Sequence, residues 1–110
     1  MITLHVYLTA KPGKESEVQA TIRDSWIKAM AEQPGFLHAA LLRPFSDEEL
    51  DALGAMKPSH TFEVVSFWES EQLRLEWVAR PIHDEVFMPL MELTDNITPT
   101  LTNVGHAWNL

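Results

Sequence analysis

His83 is the ionisable residue of this sequence best placed for proton transfer. It lies two positions after Pro81, a residue suited to the first position of a helix, so its imidazole falls in the first helical turn. The helix dipole there opposes a positive charge, while the neighbouring carboxylates Asp84 and Glu85 attract one, and the sequence leaves the balance open. A neutral imidazole is what a general base requires; an exposed helix-start histidine without a role fits the same residues. Around it stand four tryptophans, Trp26, Trp68, Trp77 and Trp108, many for 110 residues. Such rings suit a flat aromatic ligand by stacking, or they fill the space between helices and a sheet, the reading preferred for Trp26 and Trp108. His5 and Tyr7 add polar rings on one face of the first strand, opposite Leu4 and Val6.

Other chemistries lack their residues. The remaining histidines, His38, His60 and His106, are scattered, and no pair has the helical or strand-clustered spacing of a metal site, so no metal is expected. His106 neighbours His5 only if the first and last strands pair. The absence of cysteine removes disulfides, thiolate nucleophiles and Cys-bound centres together. None of the four glycines forms a Gly-rich turn between strand and helix, which excludes phosphate-loop and dinucleotide patterns, and no nucleophile elbow occurs. A net charge of −8 with only eight basic residues argues against nucleic acid and against anionic lipid surfaces. The apolar runs are shorter than the ~20 residues of a membrane span. Met1-Ile2-Thr3 lacks the basic start of a signal peptide, so a cytoplasmic protein is expected.

The elements that position these residues follow from periodicity. Ile2, Leu4, Val6 and Leu8 alternate with polar neighbours, the period-two pattern of a half-buried strand. From Glu15 to Glu32, Val18, Ile22, Trp26 and Met30 recur every four positions, an amphipathic helix for which Ser16 and Gln19 supply a capping box. Phe36 to Arg43 is a second, unusually apolar strand. Ser46 to Glu49 caps a short helical turn ended by Gly54, inside an excursion from Phe45 to Ser59 that reads as a lid or dimer flap. Thr61 to Trp68 is the third strand. Ser70 caps a helix through Ala79, Pro81 opens another, and Pro89 predicts a kink in it. Pro99 is expected to begin a last strand through Trp108. The order β-α-β-β-α-β, with the second helix broken in two, predicts an α+β, ferredoxin-like domain over residues 1–110 with a four-stranded antiparallel sheet. Phe36/His38/Ala40/Leu42 and Leu37/Ala39/Leu41 cannot both face the helices, so an apolar second face remains, which a homodimer would cover.

The run Phe62-Glu63-Val64-Val65-Ser66-Phe67-Trp68-Glu69-Ser70, followed by Trp77 and Pro81-Ile82-His83, resembles the same segment of the antibiotic biosynthesis monooxygenase family. Lys11-Pro12-Gly13-Lys14 after the first strand and Pro34-Gly35-Phe36 before the second extend the likeness over nearly the whole chain. The resemblance implies a dimeric α+β barrel in which the strand-ending Trp68 lines a closed pocket. It also implies a histidine near the start of the last helix. In relatives that histidine often follows the proline directly; here Ile82 stands there and His83 comes one later, about 100° around the helix. The heme-degrading branch combines a first-strand Asn, a helix Trp and a histidine one helix further on. Trp77 matches, but Val6 and Phe87 occupy the other two places, so no heme is expected. Where the anthrone-oxygenating branch often has an Asn before the strand Trp, this chain has Val64.

These readings predict a monooxygenase without cofactor, acting on a small electron-rich aromatic such as a phenol, quinol or anthrone. His83 or His5 would take the proton, Trp68 and Trp77 would stack on the substrate, and Tyr7 and Trp26 would complete the pocket. Two alternatives use the same pocket: a non-oxidative isomerase or dehydratase, and a non-catalytic ligand-binding dimer.

Overall fold

The computed structural model describes residues 1–108. Strand β1 (Ile2–Ala10) buries Val6, Leu8 and Ala10 on one face, as its alternation requires. Residues 15–30 then form one continuous helical stretch made of α1 (Glu15–Thr21), a π-helical turn (Ile22–Trp26) and α2 (Ile27–Met30). In a regular α-helix a four-residue repeat overshoots each turn by about 40°. The wider π turn takes up that excess, and Val18, Ile22, Trp26 and Met30 all stay buried. The predicted Ser16–Gln19 capping box does not form: the helix begins at Glu15 with Lys14 as its cap residue, so Ser16 already lies inside the first turn.

Strand β2 (Phe36–Leu42) and strand β3 (Phe62–Trp68) flank α3 (Asp47–Leu53). Ser46 and Glu49 form the reciprocal capping box of α3, and Gly54 ends it at φ 64° in the left-handed region that a glycine adopts without strain. Two helices follow, α4 (Glu71–Val78), capped by the Ser70 hydroxyl, and α5 (Pro81–Leu93), which opens on Pro81 and continues through Pro89. Strand β4 (Thr94–Asn103) starts directly after α5, five residues before the predicted Pro99, and stops short of Trp108. Pro99 is tolerated inside it because β4 is an edge strand, where a missing N–H costs no ladder bond.

The sheet is antiparallel with strand order β2-β3-β1-β4, the ferredoxin-like arrangement, and the helices cover one face. A register shift between Phe36 and His38 makes Leu37 an extra residue. Phe36 therefore joins Ala39 and Leu41 on the helix side, not His38, Ala40 and Leu42. The core between the layers is built from Leu8, Phe62, Val64 and Trp68 of the sheet against Val18, Ile22, Trp26, Met30, Trp77 and Leu90. On the other sheet face lie Ala40, Leu42, Val65 and Phe67 beside His5, Tyr7, Glu63 and a row of threonines on β4. Among the described residues no helix is long and apolar enough to cross a membrane.

Candidate functional site

A cavity of about 520 Å³ opens between the helices and the β1–β4 side of the sheet. Leu4 and Val6 form its floor, and Met30 and Trp26 close it from the first helix. Arg74, Trp77 and Val78 come from α4, and His83, Phe87 and Met91 from α5. Thr94 to Ile97 and Pro99 border it from β4. The size suits a small organic molecule, and the lining is mostly aromatic and aliphatic with few polar groups, the usual character of such sites.

Its defining feature is a row of four rings along one wall. Trp26 packs on Phe87 with centroids 5.5 Å apart, Phe87 stacks on His83 at 5.5 Å, and Trp77 meets His83 edge-on at 5.2 Å. His83 and Phe87 are four residues apart on α5 and so share one helix face. The His83 side chain is only 16% exposed, and Nδ1 lies 3.2 Å from the Asp84 carboxylate. When Nδ1 carries the proton and donates to Asp84, Nε2 holds the lone pair that a general base uses. The arrangement thus holds a basic nitrogen in an apolar wall with its ring plane fixed by two aromatic neighbours.

Arg74 brings a cation to the cavity and is paired with Glu71 on the same helix, Nε donating to Oε2 at 2.8 Å. The Arg74 hydrogen bonds hold the Glu71 carboxyl below its ordinary value, against a smaller opposing effect of burial. The Trp26 Nε1–H is buried with no acceptor among the described residues, an arrangement that costs about 1–3 kcal/mol.

Of the residues singled out from sequence, the cavity brings together His83, Trp77 and Trp26 and leaves out the other three. Trp68 is fully buried in the core, its Nε1 donating to Ser66 Oγ at 3.0 Å and its ring set edge-on against Phe36. It does not border the cavity, because β3 lies one strand further from the open side than β1. His5 and Tyr7 are on the opposite sheet face, as strand alternation with Val6 dictates. There His5 bonds Glu63 through Nδ1 at 2.8 Å and Thr3 through Nε2 at 3.0 Å, and Tyr7 packs on His60 at 4.7 Å. Tyr7 and His60 line a second, somewhat smaller recess of about 460 Å³ with residues 56–59. His106 is not beside His5, whose β4 partner is Thr100. Among the described residues no three His, Asp or Glu side chains converge as metal ligands.

Phe87, Arg74 and Met91 also border the cavity and are not among the site residues singled out from sequence. The i, i+4 pair His83/Phe87 was a legible signal for the first. Asn96 reaches the border of the cavity, but its side chain lies on the opposite sheet face, where it accepts from the Thr98 hydroxyl at 3.3 Å. Val6 and Phe87, where the heme-degrading pattern would have Asn and His, both face the cavity and offer neither a ligand nor a hydrogen bond to a porphyrin.

Among curated proteins none matches the sequence significantly. Solved structures share the fold at low identity. One is a variant of SnoaB, a cofactor-independent oxygenase from Streptomyces nogalater, with TM-score 0.75 and 16% identity over 96% of this chain and 94% of that one. A protein from Deinococcus radiodurans assigned to antibiotic biosynthesis monooxygenases superposes with TM-score 0.73 and 19% identity, over 100% of this chain and 98% of that one. A dimeric protein of unknown function and ferredoxin-like fold from Bacteroides fragilis gives TM-score 0.72 at 7% identity, covering 94% and 95%. Residues 1–87 match the family described as antibiotic biosynthesis monooxygenase, and the chain belongs to that family.

Proposed function

We propose that this protein is a cofactor-independent monooxygenase that oxidises a small electron-rich aromatic of the phenol, quinol or anthrone type in the cavity beneath α4 and α5. The observation that carries the reading is His83, an imidazole held in an aromatic wall with one nitrogen on Asp84 and the other available to a bound molecule. Family membership and the fold shared with a cofactor-independent oxygenase support it.

The chemistry asks little of the protein. His83 removes a proton from the substrate, and the resulting carbanion or phenolate gives one electron to dioxygen. Recombination of the two radicals forms a carbon–oxygen bond as a peroxide. For an anthrone CH₂ the peroxide then loses water to leave the quinone carbonyl, so one O₂ yields one quinone and one water. The apolar walls and the ring row orient the aromatic and exclude bulk water from the anion. A second copy of the chain covers the uncovered sheet face, whose half formed by β2 and β3 carries Ala40, Leu42, Val65 and Phe67.

The test is oxygen consumption by protein freed of flavin and metal, with anthrone as substrate. The expected result is quinone formed in one-to-one ratio with oxygen, at a rate well above autoxidation. No uptake across a panel of phenols, quinols and anthrones would overturn the oxygenase reading. A small aromatic that still raised the melting temperature would then favour a ligand-binding protein.

A further inference from the structure

Two methionines on α5 are equally exposed and differently placed. Met88 is 57% exposed and Met91 58%, but only Met91 borders the cavity. A thioether is a soft two-electron reductant, and its rate of oxidation ordinarily follows its access to the oxidant. In free solution the two sulfurs therefore compete on nearly equal terms. An oxidant held inside the cavity would break that symmetry.

We infer that Met91 is a modification site that takes an oxygen atom from an aromatic hydroperoxide bound in the cavity. The step balances: the sulfur lone pair attacks the outer peroxide oxygen, the O–O bond breaks, an S–O bond forms, and the departing alkoxide takes the hydroperoxide proton to leave as an alcohol. The thioether becomes a sulfoxide. The inference rests on the reading of the cavity as an aromatic-binding site, and the oxidant is of the class that reading generates when a substrate anion meets dioxygen. The consequence is local. A sulfoxide at the cavity border replaces an apolar, flexible side chain with a polar one and weakens binding of an aromatic.

The other methionines act as internal references. Met56 is 85% exposed and far more open, yet it lies by the recess on the opposite sheet face, so it reports simple exposure. Met30 borders the cavity but is 1% exposed, so its oxidation by hydrogen peroxide would report unfolding, whereas a cavity-bound hydroperoxide can reach it in the folded protein. The experiment treats the whole protein with cumene hydroperoxide or with hydrogen peroxide, at doses at which hydrogen peroxide leaves Met30 reduced and the melting temperature is unchanged, and follows each sulfoxide by residue-resolved mass spectrometry. The expected result is a Met91-to-Met88 sulfoxide ratio at least about fivefold higher with cumene hydroperoxide than with hydrogen peroxide, from proximity of the bound oxidant. An inert occupant, 2-methylnaphthalene, should cancel the difference. After treatment, affinity for 2-methylnaphthalene should fall severalfold in the wild type and hold in Met91→Leu.

Equal ratios with the two peroxides would overturn the inference, as would an equal loss of affinity in Met91→Leu. The outcome is separable from the oxygenase reading. Oxygen uptake without a Met91 bias removes only this inference, and a Met91 bias without oxygen uptake removes only the oxygenase.

Discussion

Replacing Trp68 by Phe should lower stability and leave aromatic binding intact. The indole is fully buried, and its Nε1–H reaches Ser66 Oγ, itself 1% exposed. Phe keeps most of the ring but deletes the donor. The hydroxyl left without its partner costs about 1–3 kcal/mol, and the smaller ring opens a gap worth about another 1 kcal/mol. The expected loss is therefore about 2–4 kcal/mol, a large share of the ~5–15 kcal/mol that holds a domain together. Ser66→Ala should cost a similar 1–3 kcal/mol by orphaning the indole N–H instead. The double variant should cost less than the sum, because two apolar groups leave nothing unpaired. The cycle should return a coupling of about 1–3 kcal/mol. Urea unfolding gives the stabilities, and titration with 2-methylnaphthalene gives the binding. The reasoning fails if Trp68→Phe keeps its stability while affinity drops, for then the ring walls the cavity and is not a core residue.

The remaining expectations test separate parts of the structure. Light scattering should give about twice the 12.5 kDa chain mass; Leu42→Asp, on the uncovered face opposite Glu63, should split that dimer, and a monomeric wild type would refute it. Hemin titration should show no sharp Soret band at a one-to-one ratio, since Val6 and Phe87 offer a porphyrin no donor; such a band would contradict this. The Glu71 carboxyl is held below its ordinary 4.5 by Arg74, so the unfolded chain binds that proton more readily. Its contribution to stability should be fully present above pH 4.5 and fade as pH falls through the lowered value. The stability gap between wild type and Glu71→Gln should close over that acid range in thermal melts, small throughout because the carboxylate is largely solvated; a gap that widened on acidification would reverse the sign.

Local signals carried much of the fold. The alternation of Ile2 to Thr9, the Ser46–Glu49 and Ser70 caps and the break at Pro81 each act within a few residues, and each reads directly from the chain. What eluded the sequence depends on partners far along it. The start of β4 at Thr94 is set by pairing with β1, with no apolar period of its own, and Pro99 looks like a beginning only until the strand is known to be an edge. The extra residue at Leu37 likewise comes from register against β3. At the site, alternation already put His5 and Tyr7 opposite Val6, so the cavity's membership could have been narrowed from sequence. Trp68 could not have been excluded that way, because it shares the helix-facing side and only the strand order moves it out of reach. The contact of Trp26 with Phe87 joins two helices 61 positions apart in the chain and has no local signature.

Proton removal by His83 is probed by the turnover of anthrone by wild type and His83→Ala, with affinity for 2-methylnaphthalene and the melting temperature measured on the same samples. The expected fall in kcat is about 10²–10⁴-fold, well beyond the smaller losses of affinity and melting temperature that removing a ring packed on Trp77 and Phe87 brings. Full turnover by His83→Ala, correctly folded and binding normally, would contradict it.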